Sequence, residues 1–284
     1  MNILTFDIED WWVYDYYKIG NRSDYLPRLN FYLSEILDLL DKRNFKATFF
    51  CLGEVARNNP EIIKRIHSRG HHIGCHSYNH RFIFDLTPEE FNQDTKLALK
   101  CIEDVIGIKV DSYRAPAFSI TQKSIWALNI LAENGIKNDC SIYPYNRGIG
   151  GFSSFSEKMP TIIKTSYFEI KEFPMSSSKF FGKNLSFSGG GYFRLTPYYL
   201  IKNCTMKSKY IMTYFHIKDF DYMQEKKVGL LKEESRISRY FKDYYGLKKS
   251  YNKFQKYLND FEFISVKQAS DLIDWSNVKV IHLT

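Results

Sequence analysis

The sequence is poor in cysteine, and its five cysteines form no recognisable pattern. They lie at positions 51, 75, 101, 140 and 204, and no two of them make a Cys-x-x-Cys pair. An odd number at wide spacing argues against a disulfide framework, and the missing pair argues against a structural zinc knuckle. The cysteine content therefore indicates a protein of a reducing compartment.

Long apolar stretches are also missing. No run approaches the roughly 20 apolar residues that a membrane-spanning helix needs. The first residues lack the basic segment and apolar run of a secretory leader. We therefore expect a cytoplasmic protein that is at most peripheral to a membrane. Internal repeats, low-complexity segments and linker-like stretches are absent too, so residues 1–284 are predicted to form a single domain.

Basic and aromatic residues are plentiful instead. The formal net charge is +8, and residues 201–257, with 14 Lys and Arg against 6 Asp and Glu, account for all of it. Such a segment favours an acidic substrate, a lipid-phosphate carrier or an anionic membrane surface, although a solvated face of basic helices is an equal alternative. The 21 Tyr and 23 Phe exceed what a core needs and suit a groove that stacks on sugar rings. Nucleic-acid binding has only the charge in its favour, because no known module accompanies it.

Short apolar strands alternate with amphipathic helices along the first half of the chain. This alternation predicts parallel β/α units, in which functional residues gather at the carboxyl ends of the strands. Residues 145–191 are predicted to form irregular strands and loops, with a small side sheet. The strands are predicted at 3–6, 47–52, 72–75, 108–113, 136–139, 210–215 and 261–264, and the helices at 28–43, 60–69, 87–105, 122–134 and 248–259.

Ionisable side chains directly follow two of these strands. Asp7, Glu9 and Asp10 follow the first strand, and three carboxylates so close together would repel one another without a cation or a guanidinium group. His76 follows the strand at 72–75, and His80 comes four residues later. Imidazole is the commonest protein ligand of zinc, and this spacing suits a divalent metal ion. Such pairs also occur on solvated helices, so the interpretation depends on the neighbouring residues.

Arg114, Asp139 and His216 also stand at the ends of predicted strands. Taken singly, an Arg-x-Pro sequence is more often part of a turn, and a histidine at a strand end is more often structural. Because the carboxyl ends of parallel strands share one face, we expect these residues to lie near Asp7 and His76.

These motifs, in this order, resemble the polysaccharide deacetylase family, which is carbohydrate esterase family 4 and is also called the NodB-homology family. The resemblance covers most of the chain and implies an α/β fold, a distorted (β/α) barrel of about seven parallel strands in one domain. The run at 189–194 and the basic last third resemble a bacterial branch associated with exopolysaccharides and lipid-linked glycans. The matching stretches are 5–10 (TFDIED), 47–50 (ATFF), 76–80 (HSYNH), 113–116 (YRAP), 139–144 (DCSIYP) and 214–216 (YFH).

The resemblance implies a metal-assisted hydrolysis of an N-acetyl group. His76, His80 and one acidic residue would bind zinc or another divalent ion. Asp7 would take the proton of the attacking water, and Arg114 would hold Asp7 ionised. A backbone N–H near Ala117 would stabilise the oxyanion.

The same resemblance gives a role to His216. It would protonate the departing amine, and Asp139 would raise its pKa and fix its tautomer.

Two departures from the family pattern bear on the site. The family has adjacent aspartates, whereas here Asp7 is followed by Ile8, so the acidic metal ligand is Glu9 or Asp10. Glu9 is favoured because it shares a face with Asp7 on an extended strand. The glycine that usually follows the proline is also missing. Ala117 and Phe118 stand there instead, which would reshape the wall of the groove.

The predicted substrate is an N-acetylhexosamine unit of a bacterial glycan or of its lipid-linked precursor. Hydrolysis of a small amide or imide on the same fold is one alternative, and a catalytically silent glycan-binding module is another. The aromatic residues and the long 145–191 stretch favour a sugar groove over the first. The intact Asp7, His76, His80 and His216 argue against the second.

Overall fold

The computed structural model describes residues 1–9, 26–145, 150–165, 167–180, 183–223 and 244–283. Asp10, one of the two predicted acidic ligands, lies outside the described residues.

Most of the strands belong to one sheet. Its order is β12-β2-β3-β4-β5-β6-β8-β7-β13, and a parallel pairing of β1 with β11 extends it beside β2 and β12. The strands are β1 (Asn2–Ile3), β2 (Thr5–Ile8), β3 (Thr48–Cys51), β4 (His72–Cys75), β5 (Ser112–Tyr113), β6 (Asn138–Asp139), β7 (Thr161–Lys164), β8 (Glu169–Glu172), β9 (Ser178–Phe180), β10 (Lys183–Leu185), β11 (Ile211–Met212), β12 (Phe215–His216) and β13 (Val280–His282).

The seven strands from β12 to β8 all run parallel, whereas β7 is antiparallel to β8. The predicted α/β fold with about seven parallel strands is therefore confirmed. Helices connect the strands over most of the chain. Their bounds are α1 (Leu26–Asp41), α2 (Gly53–Asn58), α3 (Pro60–Ser68), α4 (Pro88–Ile106), α5 (Trp126–Glu133), α6 (Gly190–Leu195), α7 (Tyr198–Lys207), α8 (Leu247–Asp260) and α9 (Val266–Leu272).

Side-chain hydrogen bonds connect the segment after β8 to β11 and the residue before it. No described residues form a backbone ladder between these two strands. The Ser176 hydroxyl, just after β8, accepts a hydrogen bond from the Met212 N–H at 2.8 Å and donates to the Tyr210 carbonyl at 3.5 Å. The Tyr210 hydroxyl donates to the Pro174 carbonyl at 2.9 Å. Pro174 has no N–H, so it cannot contribute a donor to a ladder here. At this seam, the backbone pairing of the described strands does not close into a barrel.

The sequence explains why the helices begin, end and pack as they do. Helix α4 begins with a capping box between Thr87 and Glu90 and ends at Gly107, whose φ of +72° suits a residue without a Cβ. Helix α1 buries one face against the sheet, where the rings of Phe6 and Phe49 stack 4.9 Å apart. Each such buried side chain contributes about 1.5–3 kcal/mol.

The largest difference from the prediction concerns residues 145–191. The hairpin of β9 and β10 is the expected small side sheet, but β7 and β8 belong to the main sheet. Strand β8 was missed because it carries one apolar residue, Ile170, among charged ones. The helix expected at 122–134 begins with a 3-10 turn at 122–124 and continues as α5.

None of the helices in the described ranges has both the length and the apolar character of a membrane span. All five cysteines are free thiols. Three of them, Cys51, Cys75 and Cys140, are buried, and burial raises the pKa of each.

His71 lies in the core at the amino end of the sheet, away from the strand ends that carry His76 and His216. Its side chain is 3% exposed, its Nδ1 accepts a hydrogen bond from the Ala47 N–H at 3.3 Å, and its ring lies 5.1 Å from that of Phe49. Burial, with Lys46 and Arg69 nearby, lowers the pKa of His71 to about 4, against a smaller opposing effect of Asp41. The folded protein therefore keeps this imidazole neutral at a pH where the unfolded chain protonates it.

This difference predicts that acid weakens the fold through His71. Because the pKa is lowered by folding, the stabilisation is complete above the unfolded pKa of about 6.5 and is lost as the pH falls from there towards about 4. The contribution to the free energy of unfolding should fall by about 2 kcal/mol between pH 7 and pH 5. His71→Gln, which can still accept the Ala47 hydrogen bond, should remove that part of the pH dependence in urea titrations.

The exposed His282 provides a matched control. His282→Gln should unfold like the wild type at both pH values. Equal pH dependence in the wild type and His71→Gln would contradict the prediction.

Candidate active site

The carboxyl ends of the parallel strands bring several predicted residues together. Asp7 lies directly opposite His216 in the pairing of β2 with β12. Glu9 follows two residues after Asp7, so both point to the same side of the strand. The side chains of Asp7 and Glu9 are almost completely buried. Two carboxylates withdrawn from water in this way need positive partners.

Glu9, His76 and His80 form a cluster in which the three ligand atoms lie within 4.8 Å of one another. Glu9 Oε2 is 2.5 Å from His80 Nε2 and 3.4 Å from His76 Nε2. His76 Nδ1 donates a hydrogen bond to the Arg114 carbonyl at 2.7 Å, which turns its other nitrogen towards Glu9. The structure thus brings the favoured acidic candidate together with both histidines.

The two histidines are brought together by a loop, because the backbone between them leaves the helical region. Ser77 and His80 have φ values of +70° and +64°. Non-glycine residues in this region cost roughly 1–2 kcal/mol each, so local contacts must hold them. The Ser77 hydroxyl accepts a hydrogen bond from the His80 N–H at 3.0 Å, and Asp94 accepts one from the Tyr78 N–H at 2.9 Å.

The donor set fits a divalent metal ion. Two imidazoles and one carboxylate, with positions left open, are typical ligands of a catalytic zinc site. Burial lowers the pKa of His80, despite the opposite effect of Glu9, and so favours the neutral imidazole that metals bind. Burial alone would raise the pKa of Glu9, but His80, His216 and Lys218 hold it well below its usual value.

Asp7 is held by a fully buried arginine. Arg114 donates to Asp7 Oδ1 at 2.9 Å and to the Thr5 hydroxyl at 2.7 Å. Its guanidinium carbon lies 4.3 Å from the centre of the Phe50 ring. These contacts fix one oxygen of Asp7 and leave Oδ2 on the side of His216, at 3.8 Å from His216 Nε2.

His216 lies between the acidic cluster and a second carboxylate. Its Nε2 is 3.1 Å from Glu9 Oε1, and its Nδ1 is 3.2 Å from Asp219 Oδ2. Asp219 also accepts a hydrogen bond from the His216 N–H at 2.9 Å and lies 3.6 Å from Arg194. Burial opposes the charged imidazole, but Glu9 and Asp219 raise the pKa of His216 to about 9. Against burial, Arg194 and His216 lower the pKa of Asp219 to about 2.

The prediction that Asp139 lies beside His216 is wrong, since Asp219 is the carboxylate in contact with that ring. Asp139 lies on β6, which four strands separate from β12, and it contacts Ser141 and Glu172 instead. Sequence reasoning missed Asp219. Its position three residues after His216 could have indicated it. At that spacing a short turn places the carboxylate where it accepts a hydrogen bond from the His216 backbone N–H.

Ala117 lies in a short turn with a left-handed backbone. Ala117 and Phe118 have φ values of +51° and +54°, and the buried Phe118 ring packs against Tyr214 at 5.3 Å. Gly150 packs so closely that a Cβ there would lie 2.5 Å from the Ala117 carbonyl. No described residue accepts a hydrogen bond from the Ala117 N–H. Ala117 and Phe118 thus both adopt, at some cost, the conformation that a glycine would favour.

Two family models match consecutive parts of the chain. Residues 3–138 match the family described as polysaccharide deacetylase, and residues 140–271 match a domain of unknown function, DUF3473. The first match contains Glu9, His76, His80 and Arg114, and the second contains His216 and Asp219.

Curated relatives resemble parts of the chain. A peptidoglycan-N-acetylglucosamine deacetylase of Bacillus cereus is 35% identical over 102 residues, which are 36% of this chain and 37% of that protein. The peptidoglycan-N-acetylmuramic acid deacetylase PdaA of Bacillus subtilis is 33% identical over 117 residues, 39% of each protein. The matched region is thus well under half the length of these relatives.

Solved structures resemble the whole fold. A Mycobacterium smegmatis protein assigned to the polysaccharide deacetylases has a TM-score of 0.69 at 17% identity, covering 100% of this chain and 93% of that one. A wild-type pseudoenzyme of carbohydrate esterase family 4 from Bacillus anthracis has a TM-score of 0.50 at 15% identity, covering 99% of this chain and 68% of that one.

The geometry of the cluster predicts which acidic residue binds the metal. Glu9→Ala should weaken Zn²⁺ binding by more than the roughly 10- to 100-fold that loss of an outer-shell partner costs. Asp10→Ala is the matched control and should retain the ion. Metal content after dialysis, measured by elemental analysis, checks both. Full metal content in Glu9→Ala, or in a His76→Ala/His80→Ala double variant, would contradict the assignment.

Proposed function

Because this chain carries, over residues 3–138, a domain of the polysaccharide deacetylase family of carbohydrate esterase family 4, we propose that it is a metal-dependent N-deacetylase. Its substrate is an N-acetylhexosamine unit of a bacterial glycan or of its lipid-linked precursor. The observation that carries the proposal is the cluster of Glu9, His76 and His80 beside Asp7 and His216.

A divalent ion held by Glu9, His76 and His80 would supply a Lewis acid for the acetamide carbonyl and would make a nearby water more acidic. The protein provides the base. Arg114 fixes Asp7 Oδ1, so Asp7 Oδ2 is the oxygen available to accept the proton of the attacking water.

The charge that develops on the carbonyl oxygen needs a donor. The Ala117 N–H, which no described residue uses, suits this role, because a preformed backbone donor stabilises an oxyanion without reorganising. The left-handed backbone of Ala117 and the close packing of Gly150 hold this amide in one orientation.

His216 is the proton donor to the departing amine. Asp219 engages its Nδ1 and leaves Nε2 towards the cluster, where the scissile C–N bond would lie. Amide hydrolysis needs this proton because an amine anion is a very poor leaving group. Arg194 holds Asp219 in place from the other side.

The alternatives have less support. A silent glycan-binding module would not need Asp7, Arg114 and His216 arranged around a metal-ligand set. Hydrolysis of a small amide or imide is disfavoured by the names of the relatives, which act on peptidoglycan sugars.

A cytoplasmic location and contact with an anionic membrane form part of the proposal. Residues 224–243 of the basic stretch lie outside the described residues. In the described part, helix α7 exposes Tyr199 and Met206 beside Lys207, a combination suited to the surface of an anionic bilayer. Such contact would bring a carrier-linked sugar to the site.

Acetate release by the metal-loaded protein, screened over N-acetylated sugars and their oligomers, tests the activity. On a substrate found this way, Asp7→Asn should lower kcat by roughly 10²- to 10⁴-fold, because the base is lost, while the metal content stays at the wild-type level. An inactive metal-loaded wild type across the panel would oppose the proposal. Near-full activity in Asp7→Asn would exclude Asp7 as the base.

A second prediction separates the acid from the rest of the site. An activated phenyl acetate has a good leaving group and does not need the proton. His216→Ala and Asp219→Asn should therefore lower hydrolysis of the N-acetyl substrate by a much larger factor than that of the ester, with unchanged metal content.

Asp139 provides the comparison for the second prediction. An amide-selective loss in Asp139→Asn that Asp219→Asn does not share would contradict the assignment of Asp219. Equal losses on both substrates in His216→Ala would assign that histidine to structure or metal binding.

A further inference from the structure

Asp139 and Glu172 form a carboxyl pair that the proposed reaction does not use. They lie opposite each other in the pairing of β6 with β8, and both side chains are fully buried. Asp139 Oδ2 and Glu172 Oε2 accept no hydrogen bond from any described donor. Two adjacent carboxylates in such a place cannot both be ionised. Burial raises the pKa of both residues, and Asp139 raises that of Glu172 further.

The surrounding hydrogen bonds indicate where the remaining proton lies. The Ser141 hydroxyl accepts a hydrogen bond from the Ala115 N–H at 2.8 Å, so its own hydrogen is donated to Asp139 Oδ1, 2.5 Å away. Asp139 is thus an acceptor. Glu172 Oε1 accepts from the Ile142 N–H at 3.2 Å, which leaves Oε2 to carry the proton towards Asp139.

This pair is connected to the metal-ligand cluster through a single peptide group. The Ala115 N–H and the Arg114 carbonyl belong to the same peptide unit, and that carbonyl accepts the hydrogen bond of His76 Nδ1 at 2.7 Å. Every donor along the chain points the same way, from His76 to Ser141 and on to Asp139. Hydrogen bonds in such a series polarise and strengthen one another.

This series of hydrogen bonds begins at His76 Nδ1, the ring nitrogen that faces away from the metal-ligand cluster. A ligating histidine usually donates its other N–H to a protein acceptor, which fixes the ring and makes the ligating nitrogen more basic. Here the acceptor is a backbone carbonyl whose own peptide group is held by a buried anion. The Arg114 carbonyl is therefore a stronger acceptor for the His76 N–H than a carbonyl whose peptide group has no such partner.

We propose that Asp139, Glu172 and Ser141 are positioning residues of the metal site, which orient His76 and strengthen its binding to the ion through the Arg114–Ala115 peptide group. The inference rests on the proposed function, since it needs a metal at Glu9, His76 and His80. It gives Asp139 a role different from the one that the sequence resemblance implied.

Zn²⁺ affinity of the metal-free protein, measured by competition with a chromophoric chelator, tests the inference without reference to activity. Ser141→Ala and Asp139→Asn should each weaken binding roughly 10- to 100-fold. Ser141→Thr keeps the hydroxyl and should restore most of the affinity. Glu172→Gln should bind nearly as the wild type, because its amide can donate to Asp139 and accept from Ile142.

Ser119 provides the matched control. It is also a buried serine that accepts a backbone N–H, that of Ile83, at 3.0 Å, but it is not part of the chain to His76. Ser119→Ala should leave the Zn²⁺ affinity unchanged. Thermal unfolding of the metal-free variants identifies those that fail to fold, and if Asp139→Asn is among them, the comparison of Ser141→Ala with Ser141→Thr decides.

The outcomes separate the two proposals. A folded wild type that binds no Zn²⁺ would contradict the metal-dependent function itself. A wild type that binds Zn²⁺, with folded Ser141→Ala and Asp139→Asn proteins of equal affinity, would overturn only the positioning role. A loss in Glu172→Gln as large as that in Asp139→Asn would overturn the assignment of the proton to Glu172.

Discussion

The near-complete burial of Asp7 and Glu9 at the end of β2 is the constraint on which the rest of the site depends. Removing the partner of a buried charge costs roughly 3–5 kcal/mol, so positive groups must surround both carboxylates. Arg114 meets this need for Asp7, and His216 and Lys218 meet it for Glu9, which also contacts His80. Arg114 and His216, to which the proposed reaction gives roles, therefore also stabilise the fold by pairing with buried carboxylates.

The sequence correctly predicted the location of those site residues that stand directly at the end of a strand. A strand that ends in ionisable residues directs them to one face of a parallel sheet, and Asp7, Glu9, His76 and Arg114 do lie together there. The same reasoning failed for Asp139. A strand end predicts on which face of the sheet a residue lies, but it does not predict which strands are neighbours, and four strands separate β6 from β12.

Other features could not be read from the pattern of apolar residues. Glu172 lies on a strand whose charged residues conceal it, and Asp219 reaches His216 through a local turn. The left-handed backbone of His80 depends on contacts with a serine and an aspartate that the spacing of two histidines does not reveal. The predicted single domain stays a prediction, but the sheet continues across the boundary between the two family matches.

The seam at Ser176 gives the two ends of the parallel sheet different mechanical roles. From β12 to β5, continuous backbone pairing fixes the spacing of the residues that surround the cluster. Between β8 and β11, hydrogen bonds of the Ser176 and Tyr210 hydroxyls take the place of a backbone ladder among the described residues. Substitutions at the seam leave untouched the backbone pairing of β12, β2, β3 and β4, which positions Asp7, His76 and His216. In the proposed deacetylase, the shape of the sheet beside the seam and the spacing of the reacting groups would therefore depend on different contacts.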